Sequence, residues 1–237
     1  MAHYVCQLKN AENYDEDLSL DRQTTIRETF AKFELSGHTW KNKNLVKWFV
    51  KDTEDRVRNG ISLFDMVYDC AQAFKEWRRW STIKFRPLPE ENEEDADIVI
   101  QMADIPPKTT GWDKWKIGVL AVGHYPIEQL GRIAGDIFVN SKDFIWRSWQ
   151  KVKERAENFK SAWYDFFSMV LHEIGHTLGI AHSKDPKAVL APFYKRVVKP
   201  YVLTQDDANA IQAAYSSNAS YSQKLQDRIM QIKLQLK

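Results

Sequence analysis

The sequence HEIGHTLGIAH at residues 172–182 places three histidines and one glutamate at a spacing suited to a catalytic metal. His172 and His176 are four residues apart, so on a helix they project from one face, one turn from each other. Glu173 lies beside this pair, where its carboxylate can reach a water on the metal without binding the metal itself. Gly179 can adopt the positive φ that ends the helix and turns the chain back, so that His182 becomes a third ligand.

These residue types predict a site that binds zinc and uses it to catalyse hydrolysis. Three protein ligands leave the fourth position to water, as in catalytic zinc sites and unlike structural ones. The metal lowers the pKa of this water to about 7, and we expect Glu173 to take its proton and pass it to a leaving amine. The alternative is a helix with ordinary core histidines, but burying them in this apolar segment without a metal or hydrogen-bond partner would cost free energy. We predict one catalytic Zn2+ bound by His172, His176 and His182.

The elements that position these residues follow from hydrophobic periodicity. Residues 56–80 carry apolar side chains at helical spacing, a second helix spans the metal motif and a third follows residue 204. Apolar and alternating runs predict strands at residues 45–50, 82–86, 97–102, 117–122 and 136–139. Together these elements predict an α/β (α+β) sandwich built on a twisted mixed sheet.

The metal motif resembles that of the metzincin zinc metalloproteases, and Ser183 directly after it resembles the matrixins, the matrix metalloproteinases. Residues 188–194 (AVLAPFY) are similar to the family's turn, and residues 203–212 (LTQDDANAIQ) to its last helix. The resemblance runs from about residue 40 to residue 215. It implies a metzincin-type sandwich with a mostly parallel sheet, an antiparallel edge strand, a long helix, the zinc-binding helix and a C-terminal helix.

The resemblance also implies a zinc-dependent endopeptidase that hydrolyses internal peptide bonds of extended protein substrates. A substrate would pair with the edge strand at Leu120 and Ala121, while Pro192 and Tyr194 would wall a pocket for the apolar side chain after the scissile bond. The expected partners are protein or peptide substrates, extracellular matrix proteins among them, and protein inhibitors of the matrixin type. We expect no nucleic-acid partner, no membrane span and a monomer.

The chain departs from the family pattern at several positions. Leu190 replaces the methionine that forms the floor beneath the zinc, an exchange of similar volume that typically costs less than about 1.5 kcal/mol. Val122 and Ile137 stand where histidines of a second, structural zinc are expected, so we predict that this zinc is absent. His124 lies near one of these positions and is interpreted as an exposed loop histidine.

Two other family features are less well defined by the sequence. Asp97 and Asp136 fall where the family places carboxylates of a calcium site, although surface acids at strand ends are an equal alternative. Cys6 lies where a propeptide cysteine could close the open zinc position, but the surrounding switch motif is eroded and an ordinary cysteine is the alternative.

The chain divides into an N-terminal extension at residues 1–36, interpreted as a propeptide remnant, a catalytic domain at 37–216 and a C-terminal helical tail at 217–237. Residues 140–163 interleave basic and aromatic side chains, which favours a surface helix with aromatics packed inward over a site for an anionic polymer. The family resemblance implies a secreted, extracellular protein, although no signal-peptide pattern is visible at the start.

Two other functions compete with the peptidase. Leu190, the missing second zinc and the eroded switch motivate a catalytically impaired metalloprotease-like module that binds peptides or inhibitors. A zinc hydrolase acting on other bonds is the third interpretation. The presence of all three predicted ligands and Glu173 favours the active peptidase.

Overall fold

The computed structural model describes residues 3–8, 32–40, 43–149, 163–194 and 201–215, and for residues 3–8 it describes the backbone only. The helices are α1 (Glu54–Asn59), α2 (Leu63–Arg78), α3 (Phe166–Thr177) and α4 (Gln205–Tyr215). The strands are β1 (His3–Leu8), β2 (Leu45–Val50), β3 (Lys84–Pro87), β4 (Ile98–Ala103), β5 (Val119–His124), β6 (Ile137–Asn140), β7 (Ile145–Arg147), β8 (Trp163–Asp165) and β9 (Phe193–Tyr194).

The main sheet confirms the predicted mixed architecture. Strands β3, β2, β4 and β6 are parallel neighbours, and β5 runs antiparallel to β6. Beyond β5 the order continues with β1 and β9. Parallel strands need crossover connections, and α1 with α2 supplies the one between β2 and β3. Since helices cover the sheet, β2 and β4 are apolar runs, with Val46, Ile98 and Ile100 fully buried.

The prediction of one continuous helix over residues 56–80 is wrong, because the structure divides this segment into α1 and α2. The Thr53 side chain accepts a hydrogen bond from the Arg56 N–H at the start of α1. Gly60, at φ 81°, ends α1, and Ser62 accepts the Asp65 N–H to begin α2. A left-handed glycine followed by an N-cap serine therefore interrupts a segment whose apolar spacing is continuous.

The predicted strand at residues 117–122 is displaced by two residues. Gly118 has φ 80° and Ile117 is 90% exposed, so the strand begins only at Val119. Its last residue is His124, which is fully buried rather than an exposed loop histidine. The His124 Nε2 lies 2.7 Å from Thr109 Oγ1, and this partner stabilises the buried ring. The interpretation of His124 as a loop residue is therefore corrected.

The core joins α2 to α3 on the face of the sheet. Trp77 of α2 is fully buried, and its indole N–H donates to the Leu171 carbonyl of α3 at 2.9 Å. Gly175 permits this close approach, because a Cβ added there would lie 2.9 Å from Trp77 Cζ2. Cys70 is fully buried in the same core, as its apolar surroundings predict. The helix that carries the metal motif is thus fixed against the longest helix described.

A small two-stranded sheet borders the segment of interleaved basic and aromatic residues. Strands β7 and β8 pair in parallel, and Trp146 is fully buried with its indole N–H donated to Asn140 O at 2.9 Å. The Arg147 guanidinium lies over the Trp163 ring, 5.1 Å from its centroid. Residues 145–147 thus form a strand where a surface helix was predicted, and residues 150–162 of that segment lie outside the described residues. The tail at 217–237 and most of the N-terminal extension also lie outside them.

Residues 34 and 36 of the N-terminal extension are hydrogen-bonded to the segment that follows α3. The backbone N–H of Ser36 donates to Gly179 O, and that of Ala181 donates to Glu34 O, both at 2.9 Å. Among the described helices, none combines the length and apolar character needed to cross a bilayer.

Candidate metal centre

The first turn of α3 is held by an aspartate at its N-terminus. Asp165 accepts the backbone N–H groups of Phe167 and Ser168, each at 3.1 Å, together with the Ser168 hydroxyl. This cap satisfies donors that an isolated helix end leaves free. Burial raises the pKa of Asp165 to about 6, which these hydrogen bonds oppose. All twelve residues of α3 are buried, so its position in the core is fixed on every side.

The three predicted zinc ligands converge. His172 Nε2 and His176 Nε2 lie 3.0 Å apart, and ligand atoms of all three histidines lie within 4.8 Å of one another. The His182 ring centroid is 5.4 Å from that of His172 and 4.9 Å from that of His176. Within the described ranges, this is the only group of three histidine, cysteine or acidic side chains so arranged.

Gly179 brings His182 to the other two ligands. It has φ 86°, and a Cβ added there would lie 1.8 Å from His38 O. The conformation and the space therefore both require glycine. The backbone N–H of Gly179 donates to His176 O at 2.8 Å, and that of Ile180 donates to Gly175 O at 3.0 Å. The chain reversal predicted from the motif is confirmed.

Backbone carbonyls orient two of the imidazoles. His172 Nδ1 lies 2.7 Å from Val189 O, and His176 Nδ1 lies 2.7 Å from Ile180 O. Since a carbonyl can only accept, each Nδ1 donates its hydrogen and each Nε2 keeps a free electron pair for a metal. Neither carbonyl could be identified from the sequence, because every residue has a backbone carbonyl and the residue type does not show which one will contact a histidine.

The histidines are neutral at ordinary pH and fit zinc. Burial lowers the pKa of His172 to about 4 and that of His182 to about 3, and burial with both neighbouring imidazoles lowers the pKa of His176 as well. Two nitrogens bound tetrahedrally at zinc distances would be about 3.3 Å apart, close to the Nε2 separation of His172 and His176. A soft divalent ion with nitrogen ligands therefore suits this centre.

Glu173 lies beside the ligands and against the neighbouring strand β5. It is fully buried, and burial raises the pKa of its carboxyl well above the usual range, while the Gly123 N–H favours the charged form. Neither carboxylate oxygen has a hydrogen bond of normal geometry. A Cβ at Gly123 would lie 2.7 Å from Glu173 Oε2, so glycine allows the strand to approach the carboxylate.

The turn beneath the ligands is held by an aspartate that the sequence did not identify as part of the site. Asp207 accepts the backbone N–H groups of Val189 at 2.9 Å, Leu190 at 3.1 Å and Thr204 at 2.8 Å. The Val189 carbonyl that orients His172 therefore depends on a residue of the last helix.

Leu190 is fully buried and lies under α3. A Cβ at Gly175 would be 2.8 Å from Leu190 Cδ2, so the leucine side chain packs directly against the metal-binding helix. Its carbonyl accepts the Ser183 N–H at 2.8 Å, and the Ser183 hydroxyl donates to Asp206 Oδ2 at 2.6 Å. This network fixes the segment that follows His182. That Leu190 serves as the floor of the zinc site stays a prediction.

The residues predicted to bind substrate lie on either side of strand β1. Leu120 and Ala121 are central in β5 and fully buried. Pro192 directly precedes β9, and Tyr194 lies in it, with its hydroxyl accepting the Asp165 N–H at 3.2 Å. Strand β1 lies between β5 and β9, with Cys6 opposite Ala121. The structure thus places all these residues in one region, whereas their role in binding substrate stays a prediction.

The two acids predicted to bind calcium already have protein donors. The Asp97 carboxylate forms an ion pair with Lys43 and accepts the Lys47 N–H at 2.8 Å. Asp136 is buried and accepts the Val99 N–H at 2.9 Å. Burial raises the pKa of Asp136 to about 7. Calcium at these residues stays a prediction, and the Lys43 ammonium already supplies positive charge to one of them.

Comparison with known proteins agrees with this geometry. The chain is 26% identical over 207 residues to matrix metalloproteinase-15 of Homo sapiens, covering 82% of this chain and 28% of that protein. It is 30% identical over 183 residues to macrophage metalloelastase of Oryctolagus cuniculus, covering 76% and 34%. It is 29% identical over 195 residues to probable matrix metalloproteinase 095L of Invertebrate iridescent virus 3, covering 78% and 48%.

The chain thus spans less than half the length of each of these relatives. The family profile described as matrixin matches residues 39–216, a span that includes every predicted ligand and the strands and helices that position them. The chain belongs to the matrixin family.

Proposed function

We propose that this chain is a zinc-dependent endopeptidase that hydrolyses internal bonds of extended peptides. The observation that carries the proposal is the convergence of three buried imidazoles, two of them oriented by backbone carbonyls, beside the buried carboxyl group of Glu173. Bound zinc would supply a Lewis acid that polarises a carbonyl and acidifies a water. The family membership and the names of the relatives support the same chemistry.

Glu173 would act as the general base and then as the general acid. Burial raises the pKa of its carboxyl, which suits a group that holds a proton between two transfers. It would accept a proton from water and deliver it to the nitrogen of the leaving amine. The Gly123 N–H near the carboxylate would favour its charged state before each cycle.

The substrate would lie extended between β5 and β9, in the place that β1 occupies in this structure, so β1 would have to leave first. Backbone groups of Leu120 and Ala121 would pair with it as an added strand, which makes binding largely independent of side-chain sequence. The segment from Pro192 to Tyr194 would form the opposite wall and would favour an apolar side chain directly after the scissile bond. The Tyr194 hydroxyl ties this wall to the start of α3.

The decisive experiment is Glu173→Ala in the zinc-loaded protein, assayed with a fluorogenic peptide and by elemental analysis. We expect zinc to be retained and turnover to fall by about a hundredfold or more, the usual effect of removing a general base. Glu173→Gln preserves the side-chain volume and should lose turnover equally, which excludes a packing effect. Glu128→Ala, at an exposed position, is the matched control. Retained turnover in Glu173→Ala would refute the proposal.

A second candidate is a catalytically impaired module that binds peptides, and the leucine at position 190 is the observation that favours it. This candidate predicts a zinc-loaded wild type that binds the peptide without cleaving it. Inhibition of turnover by a hydroxamate chelator would support the peptidase. Secretion, matrix-protein substrates and protein inhibitors of the matrixin type stay predictions from family membership.

A further inference from the structure

Tyr125, the residue directly after β5, lies against the metal centre. Its side chain is 5% exposed. Its ring is perpendicular to that of His176, at 90°, with the two ring centroids 6.1 Å apart. Perpendicular packing is one of the arrangements that aromatic rings prefer. Tyr125 lies outside the motif at residues 172–182, so only the folded chain brings it to one of the predicted ligands.

The end of β5 runs along α3 in a register that explains this contact. Gly123 lies two residues before Tyr125, and a Cβ added to it would be 2.7 Å from Glu173 Oε2 and 3.4 Å from His176 Cβ. Alternate residues of an extended segment share one face, so Gly123 and Tyr125 are both directed toward α3. The ring of His124, between them, contacts β6 on the opposite face. The same strand end thus borders both the proposed base and the next ligand.

The imidazole of His176 is in contact with the other two ligands as well as with Tyr125. Its ring centroid is 4.7 Å from that of His172 and 4.9 Å from that of His182, with interplanar angles of 84° and 69°. Its Nδ1 lies 2.7 Å from Ile180 O. A rotation of this ring would therefore disturb its contacts with both other histidines, and Tyr125 is the neighbour that comes from outside the motif.

Tyr125 is itself held beside the segment that carries the third ligand. With Ile127 and Ala181 it forms a small buried cluster, against which Leu130 packs. Ala181 is 4% exposed and directly precedes His182. The backbone N–H of Ile127 donates to Tyr125 O at 2.8 Å, and that of Leu130 donates to Ile127 O at 2.9 Å. The loop after β5 is thus folded on itself and fixes the position of the tyrosine ring.

We propose that Tyr125 is a positioning residue of the metal centre, whose aromatic ring holds the imidazole of His176 in the orientation that zinc requires. The inference rests on the proposed function, because it assigns Tyr125 to the same zinc centre. A side chain that orients a ligand before the metal arrives reduces the reorganisation that binding requires. Its loss therefore lowers metal affinity although it does not bind the metal itself.

Three substitutions separate positioning from general packing. Tyr125→Phe keeps the ring and Tyr125→Ala removes it, whereas Ile127→Ala removes an aliphatic side chain of the same cluster and keeps the N–H that Tyr125 O accepts. We expect Tyr125→Ala to weaken zinc affinity by about tenfold or more, and the other two variants to stay within about threefold of wild type. Competition with a chromophoric chelator measures this affinity. Urea unfolding of the metal-free proteins should show destabilisation in both alanine variants, so stability alone does not distinguish them.

Substitution of cobalt for zinc gives a readout of geometry that needs no turnover. The visible absorption of Co2+ depends on the arrangement of its ligands. At saturating metal we expect an altered spectrum for Tyr125→Ala and the wild-type spectrum for Tyr125→Phe and Ile127→Ala. The affinity measurements can be repeated in Glu173→Ala, which lacks the proposed base. If zinc affinity shows these differences but the wild type cleaves no peptide, the proposed endopeptidase fails and the assignment of Tyr125 stands.

Three results would overturn the assignment of Tyr125. These are equal zinc affinity in wild type and Tyr125→Ala, an equal loss in Ile127→Ala, which would indicate packing alone, and an equal loss in Tyr125→Phe, which would assign the effect to the hydroxyl. If Tyr125→Ala does not fold, Tyr125→Leu takes its place, because leucine fills apolar space without an aromatic ring. A wild type that binds no zinc would overturn both proposals.

Discussion

At the scale of single residues, the metal centre depends as much on main-chain groups as on its side chains. The Val189 and Ile180 carbonyls set the tautomers of two histidines, and Gly179 alone fits the turn that brings in His182. Because Gly123 has no Cβ, the Glu173 carboxylate can lie close to strand β5. The chemistry of the motif therefore requires particular residues around it that have no reactive side chain.

Leu190→Met tests whether the exchanged floor residue has impaired the centre. Leucine and methionine are apolar and similar in volume, so we expect the free energy of unfolding to change by less than about 1.5 kcal/mol. Turnover should remain within about threefold of wild type for the same reason. Both quantities can be measured by urea unfolding and by the peptide assay. A tenfold or greater gain in turnover would show that the leucine impairs catalysis. Such a gain corresponds to about 1.4 kcal/mol of transition-state free energy.

At the scale of elements, three contacts hold α3 in place. Asp165 caps its start, Trp77 of α2 donates to its backbone, and Leu190 packs beneath it from the turn that Asp207 of α4 holds. Each contact comes from a different part of the chain. The position of the ligands is therefore set by the packing of the helices and not by the helical motif alone.

Gly175→Ala measures how tightly these elements pack. Alanine improves helix propensity by about 1 kcal/mol, but the added Cβ would lie 2.8 Å from Leu190 Cδ2 and 2.9 Å from Trp77 Cζ2. Because overpacking of a dense core typically costs about 1–3 kcal/mol, we expect net destabilisation in urea unfolding. The double variant Gly175→Ala/Leu190→Ala should recover part of the loss relative to Leu190→Ala alone. A stabilised Gly175→Ala would show that the neighbours move away at little cost.

At the scale of the whole molecule, buried acids link folding to pH. Asp69 is 1% exposed, with Oδ1 bound to the Ser148 hydroxyl at 3.0 Å and Oδ2 without a hydrogen bond. Burial first, and then the charge of Asp165, raise the pKa of Asp69 to about 7. The folded protein therefore keeps a proton that the unfolded chain releases from about pH 4 upward.

This linkage predicts that stability falls as pH rises from about 4 to about 7. Asp69→Asn removes the titrating group. Between pH 5 and pH 8, the free energy of unfolding of this variant should therefore fall by on the order of 2 kcal/mol less than that of the wild type. Urea unfolding of both proteins across this range measures the difference. The histidines are present in both proteins, so their contribution cancels. Asp113→Asn, at an exposed position, should follow the wild type. Parallel curves for wild type and Asp69→Asn would contradict a protonated Asp69 in the folded state.

Much of the fold and the ligand set could be predicted from the sequence because the signals are local. The i, i+4 pair of histidines and the left-handed Gly179 lie within one short segment, and their geometry follows from helix periodicity. Strands β2 to β6 were predicted from apolar runs, although β5 was displaced by two residues and α1–α2 was predicted as one helix, whereas β1, β7, β8 and β9 were not predicted. Those errors arose where single residues, Gly118 and Gly60, override a continuous pattern.

The amino-acid sequence by itself determined the candidate metal ligands, the proposed base and the layered α/β class, because each depends on spacing within one short segment of the chain. Only the tertiary structure decided that His124 is buried, that Asp207 holds the turn beneath the histidines and that β1 pairs between β5 and β9. These features join segments far apart in the chain. These contacts form between the backbone and side-chain groups that remain unpaired once the core has packed, and no local sequence pattern shows which groups those are.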